Sequence, residues 1–245
     1  TTLFRSGIVL VPMMVAIFPT VGVPAQYVQQ MALGTSLASI MITSVSSARA
    51  HHSRGAVHWD IFKAITPGIL LGTFFGGLVA THMPTMFLKI FFICFILVVS
   101  AQMLSNYRPP ASRDLPGKMG TAGVGGVIGL ISSFVGIGGG TLSVPFMTFC
   151  NVPLHHAVGT SAAIGFPIAV AGTLGFVVGG WGRPDLPAMS LGFVNLWALV
   201  GIASASFLTA PLGAKLSHSL PADKLKKGFA CFLILVALKM IWGLL

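Results

Sequence analysis

Six mostly apolar runs, each some twenty residues long or longer, constrain this chain more than any other feature. They fall at 27–48, 61–82, 84–105, 156–179, 188–214 and 223–245. About twenty residues of helix cross the hydrocarbon layer of a bilayer. Charge is too scarce for any other solvent. Lys and Arg number 14, Asp and Glu number 4, and charged residues make up 7% of the chain, against roughly 25% in soluble domains. The mean hydropathy is +0.92. Glycine at 30 residues and proline at 15 suit membrane helices, which tolerate both. Two further regions, 7–19 and 119–150, are apolar but interrupted. The expected fold is an all-α integral membrane protein with seven or eight hydrophobic segments. It is one domain over 1–245, with six full transmembrane helices plus glycine-broken hairpins.

The net charge of +10 does not indicate nucleic acid. The basic residues sit in short links between apolar runs, where they set topology. Cys94, Cys150 and Cys231 lie inside apolar runs and read as small core residues, not disulfides or metal ligands. Neither a metal site nor a cofactor motif is expected. The partners expected are a small anionic substrate and the lipid bilayer, with room for a homodimer.

The hydrophilic stretch 106–118, with Pro109, Pro110 and Pro116, divides the chain into repeat one, 1–105, and repeat two, 119–245. Gly7 to Pro12 resembles Gly140 to Pro145. Ala32-Leu33-Gly34-Thr35-Ser36 resembles Ala157-Val158-Gly159-Thr160-Ser161. Gly76, Pro84, Lys89 and Cys94 pair with Gly213, Pro221, Lys226 and Cys231 at one offset. Such duplication is a transporter signature. Three links are basic: Arg49, Arg54 and Lys63; Arg108, Arg113 and Lys118; Lys215, Lys224, Lys226 and Lys227. All three fall on the cytoplasmic side only if 119–150 enters and returns as a hairpin. Each half then has an odd number of crossings, so the repeats are inverted.

The hairpin centre is Val135-Gly136-Ile137-Gly138-Gly139-Gly140, followed by Pro145. Non-helical backbone inside a membrane must be buried in protein or line a cavity. Glycines at such a break leave amide groups free at the positive start of the next helical arm, which suits an anion. Close helix packing through small residues is the competing explanation. Gly34-Thr35-Ser36 and Gly159-Thr160-Ser161 read as helix starts after the two interrupted segments. Their hydroxyls and amides are expected to bind an oxyanion, the bland alternative being capping and back-bonding. His155 and His156 precede the second motif and are weaker candidates for proton coupling. No carboxylate lies mid-span, which disfavours a cation or proton path. An enzyme would need a nucleophile–base pair or metal set, and only Ser161 with His155 or His156 offers one, without a motif behind it.

These residues together resemble the sulfite exporter TauE/SafE family of bacterial membrane permeases. The glycine motif, the Gly-Thr-Ser pair, the stretch from His51 to Asp60 and the stretch from Leu191 through Ala214 carry the resemblance. It implies a secondary carrier in the bacterial inner membrane that exports sulfite, an organosulfonate or a related small sulfur-containing anion by alternating access. A proton-coupled uptake carrier or an anion channel is the alternative. The chain departs from the family pattern at its start. A glycine-rich turn is expected before Val9, whereas Thr1 to Gly7 supplies only Gly7 and places Arg5 there. This reads as a truncated or altered N-terminus and leaves the first hairpin a remnant.

Overall fold

A computed structural model describes residues 7–105, 114–206 and 222–243, the side chains of 222–226 excepted. It is built almost wholly of helices: α1 (Gly7–Ile17), α2 (Val28–His52), α3 (Trp59–Ala80), α4 (Thr85–Ser105), α5 (Lys118–Val135), α6 (Gly140–Phe149), α7 (Leu154–Gly179), α8 (Leu196–Ser206) and α9 (Ala222–Trp242). One two-residue antiparallel pair, Ser190–Leu191 with Val194–Asn195, precedes α8. Among the described residues, α2, α3, α4, α5 and α7 are long and apolar enough to cross a membrane. The chain is an all-α multi-pass membrane protein.

The exterior is apolar. Leu71, Phe75, Val98, Val127, Trp197 and Leu235 are all more than half exposed, the pattern for a bundle that faces lipid. Polar side chains go inside instead. α2 is buried without interruption from Val28 to Ile40, although it carries Gln29, Gln30, Thr35, Ser36 and Ser39 there. It is a central helix wrapped by others, and its polar groups escape lipid altogether.

Glycine sets the helix directions. Gly125 lies against the Ile65 carbonyl, Gly129 against Ile69 and Thr73, and Gly76 against Leu130 and Ser133. α3 and α5 therefore run parallel, with Gly68 and Gly72 pressed onto the backbone of Ala122 and Gly126. Contacts this close need small residues on both helices. Gly175 packs on Phe74 and Gly179 on Thr81, so α7 also runs with α3. α2 is antiparallel to α7: Gly34 meets Phe176, Leu37 meets Gly172, and Ser44 meets Gly165. Because α5 and α7 point the same way, α6 between them must return. Residues 118–149 thus form a hairpin that opens toward the end of the bundle holding the α2–α3 link. Its arms are unequal. α5 is as long as a span, whereas α6 is short.

Some expectations need correcting. The fifth apolar run begins at 188 as sequence, but helix begins only at Leu196. The apolar residues Leu191, Phe193 and Val194 belong to the strand pair and its turn, with Phe193 and Val194 buried against the bundle. Arg5 and the rest of residues 1–6 lie outside the described residues, as do most of the 106–118 link and residues 207–221, with Gly213, Lys215 and Pro221.

Candidate anion-binding site

The break between α5 and α6 is made by two left-handed glycines. Gly136 has φ +68° and ends α5, and its amide donates to the Ser132 carbonyl at 2.8 Å. Gly139 has φ +51° and precedes α6. A side chain at Gly139 would also run into Ile168. Four consecutive residues, Gly136 to Gly139, are thereby held outside both helices, in the interior of the bundle.

The chain is short of acceptors here. The Ile137 amide follows Gly136 onto the Ser132 carbonyl, and the Gly140 amide turns back onto Gly138 oxygen. The amides of Gly138, Gly139 and Thr141 bond to nothing among the described residues. All three sit at the start of α6, where the helix dipole is positive. Of the three amides expected at 138–140, two are free. Gly140 is committed, and Thr141, which sequence reasoning missed, takes its place.

The broken segment runs along the α2–α7 pair from one Gly-Thr-Ser motif to the other. At one end Ser36 Oγ donates to the Gly136 carbonyl at 2.8 Å. Gly138 then passes Ile40, and Gly139 passes Ile164 and Ile168. At the other end Gly140 faces Ser161, whose hydroxyl would lie 3.3 Å from a Cβ placed there. Ser161 is 1% exposed, and its Oγ has no partner among the described residues. The unbonded amides and the buried, unpaired hydroxyl bring several hydrogen-bond donors to one helix start.

The motifs themselves sit differently from expectation. α2 starts at Val28 and α7 at Leu154, so Gly34-Thr35-Ser36 and Gly159-Thr160-Ser161 lie more than a turn inside their helices. Pro24, whose carbonyl takes the Tyr27 amide, and Pro153, which caps α7, set those earlier starts. The backbone amides of both motifs are thus inside helices, and only the side chains can act. Nor do the motifs face each other. The antiparallel register sets Ser36 and Ser161 about twelve residues apart, roughly 18 Å along the pair at 1.5 Å per residue.

The threonines have a different task. Thr35 Oγ1 accepts the Asn195 amide at 3.0 Å, and Thr160 Oγ1 accepts the His58 amide at 2.9 Å. Gly34 admits the Phe193 carbonyl, and Gly159 admits the Ala56 carbonyl. The offset that pairs Gly76 with Gly213 also pairs Ala56 with Phe193 and His58 with Asn195. Each motif therefore grips the equivalent segment of the other half, just ahead of α3 or α8. That offset was the signal that sequence reasoning left unused.

His155 and His156 do meet something. Their rings lie 3.9 Å apart, and the His156 ring packs at a tilt against His58 at 4.3 Å. His156 Nδ1 is buried and unpartnered. The group stands beside the Thr160 grip, at the mouth of the hairpin. Among the described residues no cluster suited to a metal ion occurs.

The comparisons with known proteins agree with one another. The profile of the family described as sulfite exporter TauE/SafE matches residues 5–240. A probable membrane transporter protein of Haemophilus influenzae is 37% identical over 235 residues, covering 96% of this chain and 89% of that protein. The probable membrane transporter protein YdhB of Bacillus subtilis is 26% identical over 202 residues, 80% of this chain and 78% of its own. A third, from Methanocaldococcus jannaschii, is 24% identical over 239 residues, 96% of this chain and 87% of its own. No solved structure matches the chain.

Proposed function

Since the chain belongs to the sulfite exporter TauE/SafE family of membrane transporters, we propose that it is a secondary carrier exporting a small sulfur-containing oxyanion, sulfite or an organosulfonate, across a bacterial inner membrane. The observation that carries this reading is the donor-rich break. Among the described residues, the amides of Gly138, Gly139 and Thr141 and the hydroxyl of Ser161 have no partner, meet at one helix start and have no carboxylate beside them. Buried donors left unpaired cost roughly 1–3 kcal/mol each, and an oxyanion would satisfy several at once. An inside-negative potential drives an anion outward by about 2.3 kcal/mol per charge per 100 mV, so export needs no acidic proton relay.

The mechanism proposed is rocking of one inverted repeat against the other. Three pairings support it. α2 lies on α7 and α4 on α9, equivalent helices in each case, and the two threonine grips are equivalent too. The grips join each half to the other at opposite ends of the bundle, so they would act as paired pivots around the glycine segment. Proton-coupled uptake remains the second reading, favoured by the His58–His156–His155 cluster beside one pivot. Proteoliposome flux decides. Outward-directed sulfite or sulfonate flux that follows the imposed potential and ignores a pH gradient is expected. Cation flux without anion flux would overturn the reading.

A further inference from the structure

At the bundle end opposite the α2–α3 link there is a cavity of about 520 Å³, lined chiefly by Gln26, Tyr27, Gln30, Thr85, His82 and Arg183. Among the described residues, its one fixed cation is Arg183. The guanidinium carbon lies 5.3 Å from the centre of the Tyr27 ring and 5.3 Å from that of Phe193. Nη1 donates to the Tyr27 hydroxyl at 3.2 Å. The aromatic rings hold the side chain in place without neutralising it, and Asp185, two residues on, makes no ion pair with it among the described residues. No carboxylate among the described residues lines the cavity. Guanidinium carries five donors in a planar fork matched to oxyanions, and one bond to Tyr27 leaves most of that fork for a ligand. Two of the other polar walls are already tied down. Gln30 donates to the Met83 carbonyl at 2.9 Å, and Thr85 bonds the Gln30 amide oxygen at 2.9 Å. Their network braces the wall and adds no competing anion. Met83 and Pro84 give the cavity an apolar side.

We infer that this cavity is a second anion site, at the mouth of the carrier, that takes a small organic oxyanion: the charged group on the Arg183 fork and a short apolar tail on Met83 and Pro84. The volume is in the range of ligand pockets and far exceeds the space one water occupies, about 30 Å³, so a bare inorganic ion would fill it poorly. The site connects to the centre. Phe193, under the guanidinium, is the residue whose carbonyl sits on Gly34, and Asn195 beyond it is held by Thr35. An anion that pulls Arg183 would thus bear on the pivot at that end. The purpose assigned here rests on the anion-carrier reading, whereas binding itself is measured apart from it.

The test is calorimetric titration of the purified full chain in phosphate-free maltoside with ethanesulfonate, with the uncharged ethyl methyl sulfone as control. Wild type is expected to bind the sulfonate and not the sulfone. Arg183→Gln should weaken binding at least tenfold, and Arg183→Lys less. Gln26→Glu leaves the arginine and its stack intact but puts a carboxylate in the cavity, and it too should weaken binding. Thermal unfolding of each variant checks the fold. Sulfonate binding unchanged in both Arg183→Gln and Gln26→Glu would overturn the inference, even with normal flux. So would stoichiometric displacement of ethanesulfonate by phosphatidylglycerol, which would make the cavity a lipid headgroup site. Absent flux in wild type with Arg183-dependent binding would instead defeat the carrier reading alone.

Discussion

Ser36 and Ser161 each close a Gly-Thr-Ser motif, yet replacing each with alanine should give opposite results. Ser36 Oγ is spent on the Gly136 carbonyl at 2.8 Å. Its loss removes one buried hydrogen bond, worth about 1 kcal/mol net and on average somewhat less between membrane helices. Ser161 Oγ is buried and bonds nothing among the described residues. Ser161→Ala therefore removes an unmet donor and should leave the empty protein as stable as before, or more stable by up to about 1 kcal/mol. The loaded protein should suffer instead. A hydrogen bond to a charged partner is worth about 1.5–3 kcal/mol, which at 1.4 kcal/mol per decade is roughly a 10- to 150-fold loss of affinity. Thermal unfolding by circular dichroism, paired with the half-saturating concentration for sulfite or sulfonate flux in proteoliposomes, reads both effects. Ser36→Ala should lower the unfolding temperature, with a smaller effect on half-saturation. Ser161→Ala should do the reverse. If Ser161→Ala unfolds early and its half-saturation is unchanged, the hydroxyl is structural and the donor site is wrongly placed.

Further outcomes follow from other contacts. Gly139→Ala must adopt φ +51° and meet Ile168; the left-handed backbone alone costs about 1–2 kcal/mol. Pairing it with Ile168→Ala should recover only the packing part of the loss in thermal unfolding, and full recovery would show that the backbone bears no strain. Thr35→Val and Thr160→Val each strand one amide, at Asn195 and His58. Amide exchange at those residues should accelerate by similar factors, since an unpaired buried donor costs about 1–3 kcal/mol. Gly72→Leu would drive a side chain into the Gly126 backbone. It should cost more than about 3 kcal/mol, beyond ordinary overpacking, and lower the yield of folded protein. With Cys94, Cys150 and Cys231 replaced by serine, a single cysteine at Gly117 should react with impermeant maleimide only after permeabilisation, and one at Trp181 in intact cells; labelling of both from the same side would refute the hairpin topology.

The broken hairpin was legible because two local signals agreed. Glycine density around 136–140 marks non-helical backbone, and the basic links can share one side only if the chain returns. The Gly-Thr-Ser motifs were legible as important and misread as helix starts. Their real partners lie far away in sequence, Thr160 with His58 and Thr35 with Asn195, and no periodicity reveals a single long-range hydrogen bond. The strand pair before α8 was hidden for another reason. Leu191, Phe193 and Val194 are as apolar as a helix segment, and hydropathy does not distinguish a buried turn from a span. Arg183 gave no local signal, because its contacts with the Tyr27 and Phe193 rings exist only once the loops meet.

The crossed grips bear on how the chain is made. Gly34 and Thr35 hold residues that the ribosome supplies some 160 positions later, and α2 carries Gln29, Gln30, Ser36 and Ser39 on buried surface that only later helices cover. While the second half is still being synthesised, α2 must wait in the translocon's shelter or against a chaperone, because lipid would leave its polar groups unpaired. Assembly is thereby tied to completion of the polypeptide. Two halves expressed as separate chains should regain function only when produced together.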